Sequence, residues 1–274
     1  MQPMITTHGL HMPKLGLGTW KMYGKECTDA VGRALAMGYR HIDTAQMYEN
    51  EGAVGEALAD TSVARADIHV TTKVWRDNLT PDAMRRAMEQ SLKLLKLDYV
   101  DLYLIHWPSP TMNLPESLGA LVKLKEEGLT TNIGVSNFPV ALMKQAVEEV
   151  QAPIVCNQIE YHVELGQSEV LGYARSKQIA VTAYCPLARG LLGDHGEISK
   201  IASKHGCSPQ QVALKWLLDQ EGVAAIPKAT REASQRANWE AQKLQLDDSD
   251  RQVIAGLAKD HRIVNPAGFA VPWD

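Results

Sequence analysis

The sequence predicts a closed (β/α)8 barrel in one domain, residues 1–274, with a short N-terminal β-hairpin across the barrel bottom. Three observations carry that expectation. Short β-branched or apolar runs alternate with longer stretches of helical spacing, which is the signature of βα units. Eight such runs in 274 residues suit one α/β barrel, whose usual size is about 250 residues. No linker, low-complexity tract or block of like charge divides the chain. An open doubly wound sheet is the alternative arrangement of the same units.

The elements follow in order. Ile5-Thr6-Thr7-His8-Gly9-Leu10-His11-Met12 supplies the hairpin. The strand runs are Lys14–Gly18, Tyr39–Asp43, Ile68–Val74, Val100–His106, Thr131–Ser136, Ile154–Ile159, Ala180–Tyr184 and Val223–Pro227. Between them, Met84, Ala87, Met88, Leu92 and Leu95 share one helical face, as do Met143, Ala146, Val147 and Val150. Thr80-Pro81 places a cap residue before a first-turn proline, and Ser208-Pro209-Gln210-Gln211 reads as a capping box.

Composition narrows the function classes. At 45% hydrophobic and 22% charged residues the chain reads as an ordinary globular protein, and no apolar run reaches the 18 or so residues of a membrane span. Residues 1–6 lack a basic segment leading into an apolar one, so no export signal is expected. The net charge of −4 offers no general attraction for nucleic acid or an anionic membrane. Cys27, Cys156, Cys185 and Cys207 form no C-x-x-C pair, which disfavours a metal site and suits the cytoplasm.

In a barrel of this kind, chemistry collects where strands end. Asp43, Lys73, His106, Ser136-Asn137, Gln158, Tyr184 and Lys228 close or nearly close seven successive runs, and Tyr48 follows Asp43 in a loop. Singly, each such residue is ordinarily a cap, a structural histidine or a solvated lysine. Together they would place charges in an apolar interior, where they must pair, as Asp43 can with Lys73. Trp20, Trp75 and Trp107 also follow strand ends and can either wall a substrate pocket or fill space under loops. Gly16-Leu17-Gly18 lacks the third glycine of G-x-G-x-x-G, so it reads as a tight turn and no Rossmann fingerprint is present.

The segments Gly16-Leu17-Gly18-Thr19-Trp20, Gly38-Tyr39-Arg40-His41-Ile42-Asp43-Thr44-Ala45, Thr72-Lys73, Leu104-Ile105-His106-Trp107-Pro108, Ile133-Gly134-Val135-Ser136-Asn137-Phe138, Asn157-Gln158-Ile159-Glu160, Tyr184-Cys185-Pro186-Leu187 and Ile226-Pro227-Lys228 resemble the aldo-keto reductases over nearly the whole chain. The short loops and the Pro272-Trp273-Asp274 ending are most similar to the bacterial 2,5-diketo-D-gluconate and methylglyoxal reductase type. The resemblance implies a catalytic tetrad of Asp43, Tyr48, Lys73 and His106, reduction of small aldehydes and ketones, and NADPH as cofactor, with NADH weaker. Tyr48 would be the general acid, with the Lys73 ammonium lowering its pKa; Asp43 would hold Lys73 and His106 would position the carbonyl.

By the same resemblance Ser136, Asn137 and Gln158 would hold the nicotinamide amide, and Tyr184 would stack beneath the ring with Pro186 and Leu187 beside it. Lys228 would meet the 2′-phosphate and Asn238 the adenine. Ser234 stands where many NADPH-using relatives place an arginine, leaving Arg231 or Arg236 as the replacement. Two rivals remain: a Schiff-base aldolase with Lys73 as nucleophile, and a non-enzymatic regulatory subunit of the same fold. The expected partner is a small carbonyl compound, and the expected state a monomer. With a short loop after His106 and a brief tail after Arg262, a shallow, open mouth is expected.

Overall fold

A computed structural model describes residues 2–190, 196–269 and 271–273; Ala270 and Asp274 of the tail considered above lie outside these. The chain begins as an antiparallel hairpin of β1 (Met4–Thr7) and β2 (Leu10–Pro13). His8 and Gly9 both take positive φ, 44° and 83°, as the tight turn of a twisted hairpin requires.

Eight parallel strands follow: β3 (Leu17–Gly18), β4 (His41–Asp43), β5 (His69–Val74), β6 (Val100–Ile105), β7 (Thr130–Ser136), β8 (Ile154–Glu160), β9 (Ala180–Tyr184) and β10 (Val223–Ala225). Each pairs with the next in sequence. The ring closes through parallel bridges Leu15 to Ala225 and Gly18 to Lys228. Across that seam Ala225 N donates to Lys14 O at 2.7 Å and Gly16 N to Ala225 O at 2.9 Å. The closed barrel, and not the open sheet, is therefore the architecture.

Gly16 and Gly18 have a different use from the tight turn expected of them, since neither takes positive φ. A Cβ on Gly16 would lie 2.8 Å from the His41 ring, and one on Gly18 would lie 2.6 Å from Ile226 O. They are small because the closing strands approach that closely.

The helices are α1 (Gly24–Met37), α2 (Glu51–Asp60), α3 (Pro81–Leu95), α4 (Leu114–Glu126), α5 (Val140–Lys144), α6 (Ser168–Ser176), α7 (Gly196–His205), α8 (Pro209–Leu218), α9 (Glu232–Glu240) and α10 (Asp248–Ala255). The expected apolar face of α3 is buried in full. Thr80 does precede it, but its side chain makes no cap bond; the fixed φ of Pro81 marks the start instead. Ser208 and Gln211 form the capping box. The face of Met143 and Ala146 is buried, yet α5 passes into a π-helical turn at Gln145–Glu149, so the segment is not one regular helix.

Two apolar regions result. Strand residues that point outward, such as Val70, Ile105 and Val135, join the helices in the main core. At the lower end, Ile5, Leu10 and Met12 of the hairpin meet Leu102, Leu104, Cys156 and Ala224 and plug the barrel. Leu10 and Met12 are fully buried, each contributing roughly 1.5–3 kcal/mol. The floor is thus solid and chemistry is confined to the opposite end. No helix among the described residues is long and apolar enough to cross a membrane.

Candidate active site

Alternation along the strands aims every second side chain into the barrel. At the upper ends this brings Asp43, the last residue of β4, against Lys73, one before the end of β5. Lys73 Nζ donates to Asp43 Oδ1 at 2.6 Å and to Thr44 O at 2.8 Å. The pair is dry, at 0% and 1% side-chain exposure. Its other carboxylate oxygen accepts from Gln158 Nε2 at 2.7 Å, so both oxygens have a donor. Burial lowers the Lys73 pKa, and the Asp43 charge opposes that shift.

Lys73 also donates to the Tyr48 hydroxyl oxygen at 3.4 Å. Tyr48 ends a 3-10 turn, Gln46–Tyr48, that follows β4. Its ring lies 4.8 Å from Trp20 and 5.5 Å from His106, edge-on to the latter at 74°. The Tyr48 pKa is pushed well above that of an ordinary tyrosine, first by burial and then by the Asp43 charge. This corrects the expectation of a lowered value: burial disfavours the phenolate, and the Asp43 charge acts in the same direction. The hydroxyl consequently keeps its proton at neutral pH.

His106 stands one residue past β6, not within the strand as its run suggested. Burial, reinforced by Lys73, drives its pKa well below the usual histidine value, so the ring is neutral. Trp75 meets it edge-on at 5.4 Å. Its Nδ1 is buried without a hydrogen-bond partner among the described residues.

The residues expected to hold a nicotinamide amide join the same network. Asn137, at a left-handed φ of 62°, donates to His106 O at 3.0 Å and to Ser136 Oγ at 3.1 Å. Its Oδ1 accepts from the Tyr184 hydroxyl at 2.7 Å, and Ser136 Oγ donates to Gln158 O at 2.7 Å. Gln158 spends its amide nitrogen on Asp43, leaving its oxygen without a partner among the described residues. A free acceptor in the same network as Tyr184 fits the amide of an aromatic cofactor. Pro186 is buried and Leu187 half-buried just beyond Tyr184.

Lys228, Arg231 and Asn238 lie on and before α9, with Lys228 bridged to Gly18 at the barrel seam. Lys228 and Arg231 are both exposed, and Arg231 is the N-cap residue of α9. Arg236 is paired with Glu232 at 2.8 Å on the exposed face of the helix. Asn238 is 5% exposed.

The tail adds a rim residue that the expectation of an open mouth left out of account. Phe269 returns to the rim and packs edge-on to Trp75 at 5.9 Å and Trp107 at 5.3 Å, with the Arg76 guanidinium 4.6 Å over its face. Trp107 is 6% exposed and so backs Phe269, whereas Trp20, 36% exposed, stands at the entrance. The tail is pinned by Glu160, fully buried at the end of β8: its two oxygens accept from Ile263 N at 2.7 Å and Val264 N at 2.8 Å. Burial would raise the Glu160 pKa, but His162 and those two amides bring it below the ordinary value. Sequence reasoning missed both residues. Glu160 is a strand-final acid like Asp43, and it escaped because the predicted strand stopped at Ile159. Phe269 carried no signal, standing in a Pro- and Gly-containing tail with no strand or helix pattern around it.

A profile described as the aldo/keto reductase family matches residues 14–259. The chain belongs to the aldo/keto reductase family. Methylglyoxal reductase DkgB of Escherichia coli O157:H7 is 42% identical over 266 residues, 96% of this chain and 99% of that one. Glyoxal reductase of Bacillus subtilis strain 168 is 38% identical over 257 residues, covering 93% and 92% of the two chains. A crystal structure with the provisional name 2,5-diketo-D-gluconic acid reductase B superposes with a TM-score of 0.97 at 38% identity, over 100% of this chain and 98% of that one. As a member of this family the protein is an oxidoreductase, and the family typically uses a nicotinamide cofactor.

Proposed function

We propose that the protein reduces small aldehydes and ketones, foremost α-dicarbonyls such as methylglyoxal and 2,5-diketo-D-gluconate, to alcohols at the expense of NADPH. The observation that carries this reading is the contact of the Tyr48 hydroxyl with the Lys73 ammonium, itself fixed by Asp43, beside a neutral His106. The hydride would come from bound NADPH. Tyr48 delivers a proton to the carbonyl oxygen as negative charge develops there, and its raised pKa keeps that proton available at neutral pH. Lys73 stabilises the phenolate left behind. His106, neutral, donates a hydrogen bond that orients the carbonyl.

Gln158, Asn137, Ser136 and Tyr184 would hold the nicotinamide end, with Pro186 and Leu187 alongside. Lys228 and Arg231 would meet the 2′-phosphate, where the exposed start of α9 also favours an anion, and Asn238 would face the adenine. Because Ser234 supplies no forked donors, NADPH is preferred over NADH less strictly than with an arginine there. Trp20, Trp75 and Phe269, backed by Trp107, wall a small pocket. We place the protein in the cytoplasm as a monomer acting on a small molecule.

Two relatives with reductase activity on glyoxals in their names support the substrate class, and an NADPH complex of a Gox0644 variant, TM-score 0.89 and 36% identical over 94% of each chain, supports the cofactor. The aldolase alternative would require Lys73, fully buried and held by Asp43 Oδ1 and Thr44 O, to leave both partners before it could attack a carbonyl. The test is a matrix of aldehydes, α-ketoaldehydes and diketo acids against NADPH and NADH, read as kcat/KM. The expected maximum is an α-dicarbonyl with NADPH. Borohydride trapping of a carbonyl on Lys73 without cofactor oxidation would overturn the reading.

A further inference from the structure

Asn50 breaks a local rule. It occupies the N-cap position of α2, where asparagine ordinarily accepts from a helix amide, yet its side chain makes no cap bond. The side chain is instead 3% exposed and fully engaged elsewhere. Nδ2 donates to Thr19 O at 2.8 Å and to Met22 O at 2.9 Å, the two carbonyls that flank the Trp20 loop. Oδ1 accepts from Thr44 Oγ1 at 2.8 Å. Thr44 in turn offers its carbonyl to Lys73 Nζ at 2.8 Å. One amide therefore ties together three things: the turn that ends in Tyr48, two residues before it; the residue that seats Lys73; and the loop whose Trp20 ring rests 4.8 Å from the Tyr48 ring. A local preference given up for a buried polar junction is what a site under functional constraint shows.

We infer that Asn50 is a positioning residue for the proton donor, holding Tyr48 in register with Lys73. The inference rests on the reading of Tyr48 as the acid. Asn50 touches neither substrate nor the reacting atoms; it acts through the distance between the phenol and the ammonium, 3.4 Å in the free protein. Geometry of that kind is felt mainly in the chemical step, because misplacing a reacting group by about 1 Å costs roughly 100-fold in rate.

Two variants test it. Thr44→Val removes only the hydroxyl that reaches Asn50 and keeps the carbonyl that receives Lys73; Asn50→Ala removes the junction entirely. The expected result with methylglyoxal is a 10- to 100-fold fall in kcat in each, with KM and the NADPH Kd within about twofold of wild type. The solvent deuterium isotope effect on kcat should rise as proton transfer becomes limiting, a change that a purely structural role does not produce. Should Asn50→Ala fail to fold, Thr44→Val decides alone. Folded variants with wild-type kcat, alongside an inactive Tyr48→Phe, would overturn the positioning role and spare the acid; an active Tyr48→Phe would overturn the acid itself.

Discussion

Replacing Lys73 with methionine separates what this side chain does for the fold from what it does for the reaction. In the native barrel Asp43 has two donors, Lys73 Nζ at 2.6 Å and Gln158 Nε2 at 2.7 Å, and is 1% exposed. Lys73→Met fills similar volume but leaves a buried carboxylate with Gln158 alone. Removing one partner of a buried pair costs about 3–5 kcal/mol, which for a domain of this size lowers Tm by on the order of 10 °C. The double variant Lys73→Met/Asp43→Asn removes the stranded charge, so most of that stability should return, as it does when a buried pair is replaced by neutral groups. Activity should not return with it. Without the ammonium beside Tyr48 the phenolate formed on proton transfer is unsupported, and kcat should fall by about 10²–10⁴, the usual share of general acid catalysis. Urea unfolding monitored by tryptophan fluorescence gives the first quantity and nicotinamide absorbance under saturating substrate the second. Recovery of kcat in the double variant, or an equal stability loss in both variants, would refute the reasoning.

Lys228→Ala should weaken NADPH far more than NADH, measured as separate Kd values, since only the former carries a 2′-phosphate; equal losses would show that this lysine does not read it. Glu160→Gln leaves one acceptor for the two amides of Ile263 and Val264. It should release the tail to limited proteolysis and raise KM about tenfold, with a smaller change in kcat, because Phe269 loses its place on Trp75. His41, His69 and His106 all have pKa values lowered by burial. A depressed folded-state value means that the unfolded chain binds more protons below about pH 6.5, so stability is full above that pH and lost as pH falls, by up to about 1.4 kcal/mol per histidine per pH unit. The urea midpoint should therefore drop on acidification, and His69→Asn should flatten the slope.

The barrel was legible because its signal is repeated: each run of alternating strand and helix restates the same unit, and errors of one residue at a boundary leave the count intact. The site was legible where polar residues close strands, since charges such as Asp43 and Lys73 in an apolar ring are costly unless they pair. What escaped depends on relations between distant segments. Gly16 and Gly18 resemble turn glycines locally, and only the approach of Ile226 across the closing seam and of the His41 ring from β4 reveals why they lack side chains. The lowered pKa expected for Tyr48 came from the charge of Lys73 alone; burial and Asp43 reverse it, and neither can be weighed without the three-dimensional arrangement. The enclosing role of the tail rests on Glu160, whose two oxygens reach residues more than a hundred positions away. Nothing in the sequence near Phe269 announces that contact.

Single-turnover reduction by Tyr48→Phe tests the central claim most directly. The substitution removes one hydroxyl while the ring can keep its packing on Trp20 and His106. With NADPH bound and excess methylglyoxal, the account predicts an NADPH Kd within about twofold of wild type and a chemical step slowed by about 10²–10⁴. A chemical step at the wild-type rate would contradict it, because the proton would then have to come from a group other than Tyr48.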